Sequence, residues 1–352
     1  MREGIVPWFA RRKLQETTGS KPAASGPRAT STRPHSPSYP ALPPRPPPDD
    51  TDPMGHAFAT HPLLLDGATG TELERRGLRT RLPLWTATAA RDAPGLLLAI
   101  HQDYVAAGAD VLTACTFRTT HHTLSKSGLS FEAAWLTREA VELARSAASS
   151  AHRSVLVAGS IGPLEDCYAP DLTPDAATLE REHESHATHL AEANADVLLV
   201  ESMPTAREAA IATRAATRTG LPVITSLLAR PGAQLYDRSS LRMALTTLAS
   251  LPVRLVAVNC CSLDACSDAI PILSEYGLPF GAYPNAGDPD GSFGGTPEPL
   301  APEALEKAAR RWLEQRASLV GGCCGTEPKH IARLRVVLHD MFPFEEGPLH
   351  LP

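Results

Sequence analysis

The sequence predicts an α/β chain folded as a (β/α)8, or TIM, barrel behind a disordered N-terminal extension. Three observations carry that expectation. Short, β-branched apolar runs alternate with longer stretches of helical period, the pattern of a parallel sheet with crossover helices. The alternation repeats eight times in about 290 residues, and an eight-unit barrel takes ~250 residues or more. The first strand runs into Asp66-Gly67-Ala68-Thr69-Gly70-Thr71. That turn has glycines but lacks the G-x-G-x-x-G order of a doubly wound dinucleotide sheet, the runner-up architecture.

The strands are expected at 63–66, 110–115, 155–160, 197–201, 223–227, 255–260, 279–283 and 319–323. Helices are expected between them, at 93–107, 131–149, 175–193, 206–219, 239–250, 264–276, 302–316 and 327–341. Thr205 and Ser240 stand where N-caps belong, and Ala301-Pro302 puts proline near a first turn. Gly108, Gly220 and Gly277 stand where helices should stop.

Residues 1–55 read differently from residues 56–345, the expected barrel domain. The chain has 33 Pro in 352 residues, well above the usual ~5%. Ten of these prolines fall between Ser20 and Pro53, among Ser, Thr, Ala and Arg. Such a segment cannot bury enough surface to offset its ordering entropy. The basic leader with Arg2, Arg11, Arg12 and Lys13 has the composition of a transit peptide. Its proline density argues against an amphipathic helix, so a solvated tail or a start at Met54 is the preferred reading.

Composition narrows the function. Lys+Arg number 33 against 39 Asp+Glu, for a net charge of -6. That balance disfavours nucleic-acid partners, which call for a basic surface. No apolar run of ~18 residues or more marks a membrane span. The expected partners are small molecules and the expected location is the cytoplasm. The 7 cysteines are an odd number, which points to metal ligands or reactive thiols before a disulfide framework.

In a barrel of this kind the site lies at the carboxyl ends of the strands. Those ends carry Asp66-Gly67, Cys115-Thr116-Phe117-Arg118, Gly159-Ser160-Ile161-Gly162-Pro163, Glu201-Ser202, Asn259-Cys260 and Gly321-Gly322-Cys323-Cys324-Gly325. Strands six and eight are separated by one strand, so the thiols of Cys260, Cys323 and Cys324 can converge on one ion. Soft sulfur ligands select Zn²⁺, and three ligands with an open position form the catalytic pattern. The plain alternative is that these are buried core cysteines. An all-thiolate zinc is a poor water activator and better serves to hold another thiol as thiolate. The chemistry that follows is alkyl transfer to a thiol.

The chain from Leu63 to Met341 resembles the homocysteine S-methyltransferases. The resemblance rests on Leu65-Asp66-Gly67-Ala68, Thr71-Glu72-Leu73, Gly108-Ala109-Asp110, Gly159-Ser160-Ile161-Gly162-Pro163, Glu201 with Pro204 and Glu208, Val258-Asn259-Cys260, Tyr283-Pro284-Asn285-Ala286-Gly287, and Gly321-Gly322-Cys323-Cys324-Gly325-Thr326 with Pro328 and His330-Ile331. These motifs occur in the family's order. The resemblance implies a catalytic Zn²⁺ on Cys260, Cys323 and Cys324. It implies that Asp66 and Glu201 hold the homocysteine ammonium, and that the backbone around Gly67 and Ala68 receives its carboxylate. Thr116, Ser160 and Asn259 are further substrate-site candidates, with Thr116 and Ser160 on the donor side, and Asn285 is a supporting one. The plain reading of Asp66 is a helix N-cap.

The short chain looks like relatives that take methyl from S-methylmethionine or S-adenosylmethionine. One departure stands out. Relatives often show a tyrosine near the metal after strand two, where this chain has Phe117-Arg118. A cation there would repel a sulfonium unless Arg118 points outward or meets a carboxylate such as Glu165 or Asp166. Other readings are a different thiol or selenol acceptor, a redox-sensing binding barrel, or a hydrolase or aldolase. The last would need a metal cluster or a strand-end lysine. His183, His186 and His189 fall within a helical stretch and read as a solvated face.

Overall fold

The computed structural model describes residues 61–287 and 300–343. The extension expected over 1–55 lies outside the described residues. Eight parallel strands form one sheet: β1 (Leu63–Leu64), β2 (Val111–Ala114), β3 (Leu156–Ile161), β4 (Val197–Met203), β5 (Val223–Leu227), β6 (Leu255–Asn259), β7 (Phe280–Tyr283) and β8 (Leu319–Val320). Strand order around the sheet follows the chain, with β8 paired to both β7 and β1. The ring closes through a parallel bridge between Leu65 and Val111. There the Asp66 N–H donates to the Val111 carbonyl at 3.0 Å and the Asp110 N–H to the Leu64 carbonyl at 2.7 Å. Closure makes this a TIM barrel and rules out the open doubly wound sheet.

The crossover helices are α1 (Pro94–Ala106), α2 (Ala133–Ser149), α3 (Ala176–Glu192), α4 (Ala206–Thr217), α5 (Leu241–Leu248), α6 (Leu263–Leu273), α7 (Pro302–Glu314) and α8 (Pro328–Met341). Every expected strand and helix overlaps an observed one. Thr205 caps α4 by accepting the Glu208 N–H at 3.1 Å. Ser240 occupies the N-cap of α5, but its side chain makes no capping bond. Gly108, Gly220 and Gly277 end their helices at φ of +96°, +78° and +69°, a region where glycine has no steric penalty.

Two apolar layers hold the ring. Leu63, Leu65, Val111, Ala158, Val197, Leu199, Ile224, Leu255, Ala257 and Leu319 fill the barrel interior. Their neighbours along each strand, such as Leu64, Leu112, Val157, Leu198 and Val256, pack outward against the helices. This is the two-residue period of a strand buried on both faces. Asp110 secures the closure. Its carboxylate accepts the Leu64 N–H at 2.9 Å and pairs with Arg335 of α8. The Gly108-Ala109-Asp110 motif is therefore structural.

The α3 histidines correct one expectation. His183 and His186 are buried, on the inner face with Leu179 and Leu190 rather than on a solvated one. Their spacing puts them on the stripe that meets the sheet. His183 Nε2 lies 3.3 Å from Glu208, and His186 Nε2 donates to the Ser160 carbonyl at 3.2 Å. Burial pushes the His186 pKa down to about 3, so this ring is neutral.

Candidate metal centre and active site

The carboxyl ends of β6 and β8 bring three thiols together. The Sγ atoms of Cys260, Cys323 and Cys324 all lie within 4.8 Å of one another, and Cys260 and Cys324 are 3.9 Å apart. Tetrahedral zinc with Zn–S bonds of ~2.3 Å needs sulfurs ~3.8 Å apart. The thiols therefore fit such an ion, and their softness matches it.

Local backbone explains the convergence. Cys260 leaves β6 at φ +55°, and Ser202 sits at φ +58° in the register shift near the end of β4. Left-handed backbone in non-glycine residues costs ~1 kcal/mol or more and clusters at functional sites. The Cys323-Cys324 turn is pinned to β7, with the Cys323 N–H on the Pro284 carbonyl and the Ala286 N–H on the Cys324 carbonyl, both at 2.8 Å. The turn is also pinned to β1, by the Gly322 N–H on the Asp66 carbonyl at 3.1 Å. Gly325 makes the turn possible. It sits at φ +80°, and a Cβ there would come within 2.6 Å of the Ala286 carbonyl oxygen.

Cys260 is the thiol most readily ionised. Hydrogen bonds from Cys167, Cys323, Cys324 and Tyr168 hold its pKa well below the ordinary thiol value. The same charge pushes Cys323 and Cys324 up. Tyr168, in the loop after β3, was not among the residues expected from the sequence. Its hydroxyl lies 3.2 Å from Cys260 Sγ and donates to the Cys260 carbonyl at 2.9 Å. Asn285 Nδ2 donates to that hydroxyl at 3.1 Å and to the same carbonyl at 2.8 Å. The chain thus supplies a tyrosine beside the cysteines from after β3, where Phe117-Arg118 follows β2. The motif Cys167-Tyr168 was the available signal, but nothing in its spacing placed it near Cys260.

Two buried carboxyls stand next to the thiols. Asp66 is 1% exposed and Glu201 is 7% exposed. Asp66 accepts from the Thr113 N–H and from the Thr113 hydroxyl, each at 2.8 Å. It does not cap the following helix, Thr69–Arg75, whose N-cap is Ala68. Glu201 accepts from the Ser160 hydroxyl at 2.5 Å, and from Asn259 Nδ2 and the Tyr283 hydroxyl at 3.3 Å each. Burial pushes Asp66 up to about 7 and Glu201 up to about 8, with the Thr113 and Ser160 bonds opposing. The charge of Asp66 also raises Glu201. Two desolvated carboxyls kept close favour a cation between them.

The other candidates serve these groups. Ser160 positions Glu201. Asn259 accepts the Ser202 N–H at 2.9 Å and the Ser226 hydroxyl at 2.7 Å, which aims its amide at Glu201. That amide also lies 3.8 Å from Cys323 Sγ. Thr116 is fully buried and exchanges hydrogen bonds with the Ser160 backbone at 2.9 Å, tying β2 to β3. The Ala68 N–H donates to Thr326 Oγ1 at 3.2 Å, so a carboxylate received there must share or displace that bond. Gly67 is packed against Tyr104 and Thr326, where a Cβ would come within 2.8 Å of each. Among the cysteines without an assigned role, Cys167 interacts electrostatically with Cys260, Cys261 and Cys266 lie 3.4 Å apart, and Cys115 donates to the Thr86 carbonyl.

Comparisons with known proteins agree with this arrangement. A family model described as homocysteine S-methyltransferase matches residues 63–338. The homocysteine S-methyltransferase YbgG of Bacillus subtilis is 30% identical, over 80% of this chain and 96% of that protein. A selenocysteine Se-methyltransferase of Brassica oleracea is 27% identical, over 76% of this chain and 86% of that protein. The homocysteine methyltransferase MmuM of Escherichia coli, solved in a metallated form, superposes with a TM-score of 0.72 at 29% identity. That match covers 81% of this chain and 99% of MmuM. With a family model spanning most of the barrel and relatives matched along nearly their full length, the chain belongs to the homocysteine S-methyltransferase family.

Proposed function

We infer that the chain transfers a methyl group from a small onium donor to homocysteine, with Zn²⁺ held by Cys260, Cys323 and Cys324. The observation that carries this is the three-thiol cluster beside two buried carboxyls at one end of the barrel. A zinc ion on three thiolates supplies a means of keeping a substrate thiol ionised and nucleophilic at neutral pH.

The chain's own residues do the rest. Asp66 and Glu201 take the homocysteine ammonium, which converts two unfavourable buried charges into a balanced set. Ser160, Asn259 and Tyr283 fix the rotamer of Glu201, and Thr113 fixes that of Asp66. Tyr168 and Asn285 hold Cys260 in place. The substrate thiol gives up its proton to bulk water before attack. Its sulfur lone pair then forms the new S–CH3 bond, while the old onium–CH3 bond breaks with its electron pair left on the donor. The leaving group departs neutral, so no general acid is required. The site contributes proximity and orientation, which are worth several kcal/mol in well-placed reactions, up to ~11.

The test is methionine formation by the zinc-loaded protein from homocysteine, with S-methylmethionine and S-adenosylmethionine supplied in turn. One zinc per chain and turnover with either donor supports the reading. Zinc binding without turnover from any donor would mean that the acceptor is wrong. A selenol acceptor is the second reading, favoured by the Brassica relative, and selenocysteine is the substrate to try next.

A further inference from the structure

Arg118 is a charged strand-end residue with no part in the proposed methyl transfer. It follows Phe117 at the end of β2 and is 5% exposed. Its Nε is buried with no hydrogen-bond partner, and it forms no ion pair among the described residues. Two acids act on it through space, but both are engaged elsewhere. Glu165 is held by His122 at 2.7 Å and Lys126 at 2.6 Å. Asp166 accepts the Tyr168 N–H at 2.9 Å. A guanidinium does not lose its proton in a protein, so the cost of burying it stands until an anion arrives.

Its surroundings place it on the thiol side of the barrel mouth. The guanidinium carbon lies 5.8 Å from the Phe117 ring centroid. That ring meets Trp85 edge-on at 6.2 Å and covers Gly162 at the end of β3. The charge of Arg118 reaches the Cys167 thiol, which in turn interacts with Cys260. A buried cation with no hydrogen-bond or ion-pair partner among the described residues thus shares a neighbour, Cys167, with the cluster thiol Cys260. On its own it would repel an onium donor. An onium donor that also carries a carboxylate resolves the conflict, because the guanidinium fork accepts a carboxylate in two parallel hydrogen bonds.

We propose that Arg118 is the anion-binding half of a methyl-donor site, and that it takes the carboxylate of a small onium carboxylate donor. This rests on the methyltransferase reading and adds a requirement to it: the donor must be anionic at one end. Phe117 holds the guanidinium over its ring face, and Gly162 leaves room for that ring.

The experiment is calorimetric binding of S-methylmethionine and of its carboxamide to the zinc-loaded full chain, for the wild type, Arg118→Met and Arg118→Lys. The wild type is expected to bind the carboxylate form at least ~10-fold more tightly than the amide, the usual scale for a charge-assisted pair. Arg118→Met is expected to lose that discrimination while its homocysteine affinity stays within about twofold, and Arg118→Lys to recover part of it. Equal binding of both forms by the wild type overturns the proposal. So does a loss of homocysteine affinity in Arg118→Met, because the carboxylate would then be the acceptor's. The wild-type comparison decides the matter even if Arg118→Met does not fold. Binding also separates this idea from its parent. Arg118-dependent binding without methionine formation sinks the methyltransferase reading alone. Equal turnover of both donor forms sinks the Arg118 proposal alone.

Discussion

The acidic side of the barrel mouth and the Arg118 side are built on opposite terms. On the acidic side, Asp66 and Glu201 are buried and met by donors from Thr113, Ser160, Asn259 and Tyr283. On the other side the buried Arg118 guanidinium has no hydrogen-bond or ion-pair partner among the described residues, and its Nε is buried unbonded. The first wall is complete before substrate arrives; the second is completed by what binds there. On the proposed reading, one substrate meets a finished mould, and the other an unsatisfied charge that selects for its complement.

The strongest way to break this comparison is to remove what both walls face. Cys324→Ala is expected to drop zinc from about one per chain to near zero. Activity should fall by at least ~100-fold, the upper scale for losses in metal-site support. Metal analysis and a methionine assay check this, and full activity in the metal-free variant would refute the mechanism. Glu201→Gln tests the finished wall alone. Losing one carboxylate should raise the homocysteine KM by about 10–100-fold and leave the donor KM within about twofold.

The pH dependence sharpens the same point. Asp66 and Glu201 hold their protons until about pH 7 and about pH 8, yet they must be ionised to receive an ammonium. Methionine, which has no thiol to ionise, should bind more tightly as pH rises from 6 to 8. Calorimetry at three pH values checks this, and a flat profile would count against the assignment. Stability has the opposite sign. Both carboxyls have folded pKa values above their unfolded ones, so the contribution is present below the ordinary value near 4 and lost as pH rises toward 7 and 8. Melting curves of Asp66→Asn against wild type across that window should diverge in the variant's favour at high pH.

Tyr168→Phe is a smaller perturbation. Without the hydroxyl on Cys260, zinc affinity in chelator competition should weaken by about 10-fold. The smallest effect is expected from Gly325→Ala. The φ of +80° and the close Ala286 carbonyl should cost about 1–3 kcal/mol of stability, read as a lowered melting temperature.

Much of this was legible in the chain. The barrel follows from periodicity, because a strand buried on both faces reads as a short apolar run wherever it occurs. Cys260, Cys323 and Cys324 were legible because strand-end position and thiol softness are local properties. What was not legible depended on contacts across the ring. Tyr168 reaches Cys260 over 92 positions, and no pattern in the loop after β3 announces that reach. The α3 histidines looked like a polar face, because polarity in the sequence does not reveal that Glu208 and the Ser160 carbonyl wait opposite them. Arg118 was open to pointing outward or meeting a carboxylate such as Glu165 or Asp166; both act on it through space, while Glu165 binds His122 and Lys126 and Asp166 the Tyr168 N–H.

The two shortest strands of the ring lie side by side, next to the β1–β2 closure. β1 and β8 contribute two residues each, whereas β4 runs for seven. Asp66 leaves one of these strands and the Cys323-Cys324 turn leaves the other. The stretch of wall with the fewest ladder bonds is therefore the one that carries Asp66 and two of the three clustered thiols. In a local-opening experiment, amides of Leu65, Asp66 and Gly322 are the ones to watch, because the ladder beside them is the shortest in the barrel.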